Sequence, residues 1–472
     1  MENKELLRKV YDPETFRQEA HRLADVLADR LADLQDKTLP ANNYHAPEEE
    51  LAFWKNFQSA DFQELTDTVL QRCINVHHPL YVGHQVCGPM PLSALAGFMS
   101  NFLNNGMAIY EMGAPASAME KIVCREFCRA IGYGVEADGI LTSGGTLGNL
   151  TALLSARKAV ADTDVWTEGH GAKLAVMVSE EAHYCVDRAA RIMGFGTEGI
   201  IKVPADEKFK MRTDLLPALY EKAATEGRKV IAVVGSACTT STGSYDDLWA
   251  IADFCEAYGI WFHADGAHGA AVVFSDKYRH LAKGLERADS IVCDGHKMLG
   301  ASALVTALLF KNQRHSYATF HQKAQYLWAD ADAPEWFNYG KRTFECTKSM
   351  MSYKLYAVMQ AYGTAAFGAM TEVTCDLART FAADLAANEH FILAVQPESD
   401  IVCFRLTEKG RSEKELNDLN RKIRQRILEE GEYYIVQTEL KGKVYLRTTL
   451  LNPFTTREDL RKLTDKIIAM KS

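Results

Sequence analysis

No C-x-x-C pair occurs among the 11 cysteines of the chain. The closest two, Cys124 and Cys128, share an amphipathic stretch with Met119, Val123, Phe127 and Ala130. Neither a thioredoxin-type redox pair nor a zinc site is therefore indicated, and no metal is expected. The cysteines read as reduced thiols packed like small hydrophobes. No apolar run approaches the roughly 18 uninterrupted residues of a membrane span. The opening, from Met1 to Phe16, has no apolar core of the kind a secretory signal carries. A soluble cytoplasmic protein is expected. There is no Lys/Arg run, and 53 basic against 62 acidic residues give a formal charge of −9, which argues against nucleic acid as a partner. Repeats, low-complexity tracts and Gly/Ser linkers are also missing.

What is present is an ordinary globular composition, 47% hydrophobic and 24% charged, over 472 residues. That length accommodates two or three structural pieces. Phe16, Ala20, Leu23, Leu27, Leu31 and Leu34 recur at helical spacing and predict an amphipathic arm that Leu39-Pro40 terminates. Its stripe has to be buried on its own subunit or on a partner, and the second is the expectation here. From about residue 85 to 354, short apolar runs alternate with helical stretches such as Asp246–Tyr258. The predicted strands are Leu174–Val178, Ile200–Val203, Val230–Gly235, Ile260–Ala264, Ser290–Cys293 and Val305–Phe310. Uniformly apolar strands between helices predict a mostly parallel sheet covered on both faces, an α/β architecture. Its ligand is expected beyond the carboxyl ends of the strands. Residues 355–472 read as a small α+β domain with strands Ile401–Leu406, Tyr433–Gln437 and Val444–Thr448. A closing helix is predicted from the cap signal Thr456-x-x-Asp459, with Leu460, Leu463 and Ile467 on one face. The expected division is 1–84, 85–354 and 355–472.

Five polar signals stand at successive strand ends. Asp294-Gly295-His296-Lys297 follows an apolar strand. A lysine there is costly unless it reaches solvent or has a task, and capture of an aldehyde as a Schiff base is such a task. Asp265, within His263-Ala264-Asp265-Gly266-Ala267-His268-Gly269, can hold a protonated pyridine nitrogen, cap a helix or bind a metal. Leu141-Thr142-Ser143-Gly144-Gly145-Thr146-Leu147-Gly148-Asn149 opens a helix and suits a phosphate, but lacks P-loop and dinucleotide spacing. His183 can stack on a ring or serve as a helix-start histidine. Thr239 and Thr240 offer hydroxyls. Each has a bland explanation alone; together they are hard to explain as independent accidents.

In this order, S-G-G-T-x-G-N, A-H, T-T, H-A-D-G-A-H-G and D-G-H-K resemble the group II pyridoxal-dependent decarboxylases over nearly the whole chain. The resemblance implies the aspartate aminotransferase-like, fold type I architecture, pyridoxal 5'-phosphate (PLP) as cofactor, and a homodimer with its active site near the subunit interface. It makes Lys297 the Schiff-base lysine and Asp265 the ring-nitrogen partner. His183 and Ala267 fall on the two ring faces. Gly145, Thr146 and His296 fall around the phosphate with Asp294 nearby, and Thr240 at the ring's polar edge. Tyr326, in Lys323-Ala324-Gln325-Tyr326-Leu327-Trp328, falls where the family carries a loop tyrosine that reprotonates the substrate carbon. Decarboxylation of an L-amino acid is the implied reaction, with transamination, aldol cleavage and carbon–sulfur cleavage as rivals.

The segments around His78-Pro79-Leu80-Tyr81-Val82-Gly83-His84-Gln85, Met107–Gly113, Glu286–Ser290 and Asn452–Thr456 are most similar to the diaminobutyrate branch. L-2,4-diaminobutyrate is therefore the expected substrate, ahead of glutamate, aromatic and sulfur-containing amino acids. His78, Tyr81 and His84 are the expected pocket residues. The sequence departs from the family at Gly266, often alanine, and at His268, often aromatic, and His268 is expected to alter the pocket.

Overall fold

The computed structural model describes residues 2–59, 61–169, 171–320, 322 and 334–471. Its centre is a seven-stranded sheet: β1 (Asp138–Thr142), β2 (Lys173–Ser179), β3 (Ile200–Val203), β4 (Arg228–Ser236), β5 (Trp261–Asp265), β6 (Ser290–Asp294) and β7 (Thr306–Phe310). The spatial order is β1-β7-β6-β5-β4-β2-β3. Strand β7 is antiparallel to both neighbours, and the other pairs are parallel. Strand β1 consequently points the same way as β2–β6, and their carboxyl ends share one edge.

Helices on both faces explain the uniformly apolar runs. In β7, Ala307 and Leu309 enter one buried cluster while Leu308 and Phe310 enter another on the opposite face. A smaller antiparallel sheet adds β8 (Phe391–Leu393), β9 (Ile401–Leu406), β10 (Val436–Leu440) and β11 (Lys443–Thr449), in the order β10-β11-β9-β8. The architecture is the expected α/β one. The second predicted C-terminal strand, Tyr433–Gln437, lies later, at β10. The cap at Thr456 takes the expected form: Thr456 Oγ1 accepts from Asp459 N at 3.1 Å, and Asp459 Oδ2 accepts from Thr456 N at 2.9 Å.

Two strands lie outside those predicted. Strand β8 is three residues long. Strand β1 carries Asp138, which is fully buried because Arg342 (2.9 Å) and Lys121 (2.7 Å) pair with it. It also carries Gly139, where a Cβ would meet Leu309 Cδ2 at 2.6 Å and Leu308 O at 2.7 Å.

The arm forms helices Glu2–Val10 and Pro13–Gln35, the second capped by Asp12, which accepts from Thr15 N at 2.8 Å. Its stripe is only partly covered by its own chain. Leu34 is buried and Phe16 packs on Phe102, with centroids 5.0 Å apart, yet Phe16 and Leu27 stay exposed. No helix among the described residues is long and apolar enough to cross a membrane.

Candidate active site

The shared edge of the sheet opens on a cavity of about 290 Å³. The ends of β1, β2, β4, β5 and β6 contribute to it, largely through their following turns. After β1, Gly144 adopts φ 121°, a conformation glycine alone takes easily, and starts helix Gly145–Val160. The first-turn N–H groups of that helix have no intrahelical acceptors and face an anion readily. After β2, His183 caps helix Tyr184–Ile192, its Nδ1 accepting from Cys185 N at 3.3 Å. After β4 come Cys238 and Thr240, after β5 Ala267 and His268, and after β6 His296 and Lys297.

Lys297 Nζ lies 2.9 Å from Asp294 Oδ2, and Asp294 Oδ1 accepts from Thr306 Oγ1 at 2.5 Å. Burial works against the Lys297 ammonium, but the charges of Asp294 and Asp265 outweigh it and hold its pKa above the ordinary lysine value. His296 stands 3.7 Å from the same carboxylate, with its Nδ1 2.9 Å from Val305 O. Burial lowers the His183 pKa, against the opposing charge of Asp265, so an uncharged ring faces the cavity. Asp265 accepts one side-chain hydrogen bond, from Ala267 N to Oδ1 at 3.2 Å, and no described residue donates to Oδ2.

Gly145, Thr146, His183, Thr240, Asp265, Ala267, His268, Asp294, His296 and Lys297 all line this one cavity. His78, Tyr81 and His84 do not. His78 is buried with Nδ1 accepting from Leu80 N at 2.9 Å, Tyr81 stacks on Tyr434 with centroids 5.0 Å apart, and His84 is exposed beside Tyr434. Tyr81 packs with Tyr434 and Val436 at the small sheet. Tyr326 lies outside the described residues. His268 is in the wall, but its Nε2 is taken by Asp400 Oδ1 at 2.7 Å, from the start of β9. Gly266 has a steric reason for being glycine: a Cβ would meet Ala270 Cβ at 2.5 Å and Val292 O at 2.9 Å.

The family model described as "Pyridoxal-dependent decarboxylase conserved domain" matches residues 61–407. The chain belongs to this family. It is 28% identical over 423 residues to an L-2,4-diaminobutyrate decarboxylase of Acinetobacter baumannii, covering 86% of this chain and 82% of the relative. It is 29% identical over 412 residues to an aromatic-L-amino-acid decarboxylase of Bacillus atrophaeus, covering 86% and 84%. A crystal structure of mouse CSAD in apo form shares the fold, with a TM-score of 0.90 at 24% identity over 98% of this chain and 100% of that one. The protein is a PLP-dependent amino-acid decarboxylase, a carboxy-lyase.

The cavity of this decarboxylase fits PLP. It offers an amine at Lys297, a carboxylate oxygen of Asp265 without a donor among the described residues, and a helix start at Gly145. A Cβ at Gly145 would meet Ala267 Cβ and Asp294 Oδ1, each at 3.2 Å, so glycine keeps the cradle open.

Three residues here carried no assigned part in the sequence reading. Asn149 lines the cavity, and His263 is fully buried beneath it. Arg447, on β11, is buried with Nε and one terminal nitrogen lacking partners among the described residues, within electrostatic reach of Asp400 and of Cys238 in the cavity wall. A charged residue directly after the apolar run Val444–Leu446 was its only sequence signal.

Burial presses the His263 pKa down to about 4, against the opposing charge of Asp265. The unfolded chain therefore takes the proton first. The stability this group contributes is present above the ordinary histidine value and lost as pH falls through the folded one. His263→Gln is expected to lose stability less steeply than the wild type between pH 6.5 and 4 in urea titrations. Equal slopes would contradict a buried neutral imidazole.

Proposed function

We propose that this decarboxylase acts on L-2,4-diaminobutyrate in the cytoplasm, as a homodimer, with Lys297, Asp265 and His183 as the core of its PLP site. The observation that carries the residue roles is the opening of the Lys297 amine, the donor-free oxygen of Asp265 and the helix start at Gly145 onto one cavity. Bound PLP supplies an electron-withdrawing ring that accepts the electron pair released when the carboxylate departs as carbon dioxide. Lys297 Nζ would hold the cofactor's aldehyde, and Asp265 would keep the proton on its ring nitrogen. His183 and Ala267 would flank the ring, Thr240 would meet its polar edge, and Gly145, Thr146 and His296 would hold the phosphate. Asp294 holds the Lys297 amine in place beside them. Arg447, a cation without full partners, suits the substrate carboxylate. Tyr326 is assigned the return of a proton to the α-carbon, a step a closed, water-poor site favours.

The substrate reading is supported by the local similarity of residues 78–85, 107–113, 286–290 and 452–456 to the diaminobutyrate branch, and by the Acinetobacter relative. Homodimerisation is supported by neighbouring apolar side chains left exposed on the arm and on helix Pro91–Leu103, among them Leu7, Val10, Phe98, Met99 and Phe102. Continuous apolar exposure of this kind marks an association surface.

With purified, PLP-loaded protein and a panel of L-amino acids, carbon dioxide release should show its highest kcat/KM for L-2,4-diaminobutyrate. A higher value for glutamate, an aromatic or a sulfur-containing amino acid would replace that substrate. Sedimentation should give about twice the 52.6 kDa chain mass. A fully active monomer would remove the dimer.

A further inference from the structure

Asn149 and His263 belong to a hydrogen-bond chain that passes the cofactor site without touching Asp265. His263 lies on the same face of β5 as Asp265, two residues away, opposite Ser290 of β6. Trp261 Nε1 donates to Ser290 Oγ at 2.8 Å, and that hydroxyl lies 2.8 Å from His263 Nδ1, with the Ser290 carbonyl oxygen at 3.1 Å. On the other side of the ring, Nε2 donates to Asn149 Oδ1 at 2.7 Å. Asn149 Nδ2 then donates to Cys185 Sγ at 3.2 Å, and Cys185 N donates to His183 Nδ1 at 3.3 Å. The chain runs from the sheet core to the histidine assigned to the ring face. Asp265 stands beside it with Oδ2 free of any described donor.

We propose that His263 and Asn149 are positioning residues that keep Asp265 unpaired for the cofactor's ring nitrogen. This rests on the reading of Asp265 as the ring-nitrogen partner. Asn149 and Asp265 line the same cavity. An amide released from His263 is free to rotate and donate to the carboxylate, because a buried donor is costly to leave unmatched. A charged imidazole beneath Asp265 would compensate the same negative charge. Both ring nitrogens of His263 meet neutral partners in a fully buried site, where an ion without a direct counter-ion is strongly disfavoured. The ring is therefore held uncharged and committed at both ends. The Asp265 charge is left for a cation that arrives from the cavity.

The test is PLP retention, measured by absorbance during dialysis and by fluorescence titration of the cofactor-free protein, across five proteins. Asp265→Asn should weaken PLP binding against the wild type, and His263→Phe should weaken it by roughly tenfold, the equivalent of one charge-assisted hydrogen bond. His263→Gln, whose amide can bridge Ser290 and Asn149, should restore binding to within about threefold of the wild type. Ser290→Ala, a smaller change, should weaken binding in the same direction as His263→Phe and keeps the test open if the phenylalanine protein fails to fold. Wild-type affinity in both His263→Phe and Ser290→Ala, with Asp265→Asn weakened, would overturn the positioning role alone. Failure of His263→Gln to rescue would reduce His263 to packing and overturn it too. Wild-type affinity in Asp265→Asn would overturn the ring-nitrogen reading and this inference with it.

Discussion

The carboxylate of Asp294 sits fully buried at the end of β6 with Thr306 on one oxygen and the Lys297 ammonium on the other. That contact solves a problem the fold creates for itself. A cavity walled by buried strand ends is a poor place for a charged amine, and an unpaired lysine there would be driven neutral or outward. Asp294 keeps it charged and in place. The carboxylate also lies against Gly145, so the amine and the turn that opens helix Gly145–Val160 share one neighbour. His296 stands 3.7 Å from the same carboxylate.

The rest of the site follows from strand direction. Because β7 is the one reversed strand, β1 through β6 deliver their following turns to one edge, and helix Gly145–Val160 crosses behind them. Two carboxylates, an amine and several imidazoles then converge without long loops. The small sheet is joined to this edge through Asp400, which reaches His268, and through Glu398, which accepts from Tyr245 N at 2.9 Å. The segment leading into the small sheet thereby braces the wall residue His268 from behind.

Much of this was legible in the residues. A chemical group placed directly after an apolar run predicts a strand-end site, and Lys297, Asp265 and His183 each read that way. The helix start at Gly145 was legible because glycine, threonine and asparagine precede a helical periodicity. Strand β1 was not, because Asp138 is tolerated in the core through Lys121 and through Arg342, 204 residues away. The His263 chain was invisible for a related reason: Asn149, Cys185 and Ser290 are unremarkable until the sheet register sets β5 beside β6. Tyr81 was read as a pocket residue from its local segment, whereas its stacking on Tyr434 depends on where the small sheet docks.

The central claim is that Lys297 carries the cofactor, and it can be tested chemically. Borohydride reduction of the PLP-loaded protein, followed by proteolysis and mass spectrometry, should find the reduced cofactor on Lys297 alone. A tag on another lysine, or none on a protein that retains PLP and releases carbon dioxide, would contradict the account.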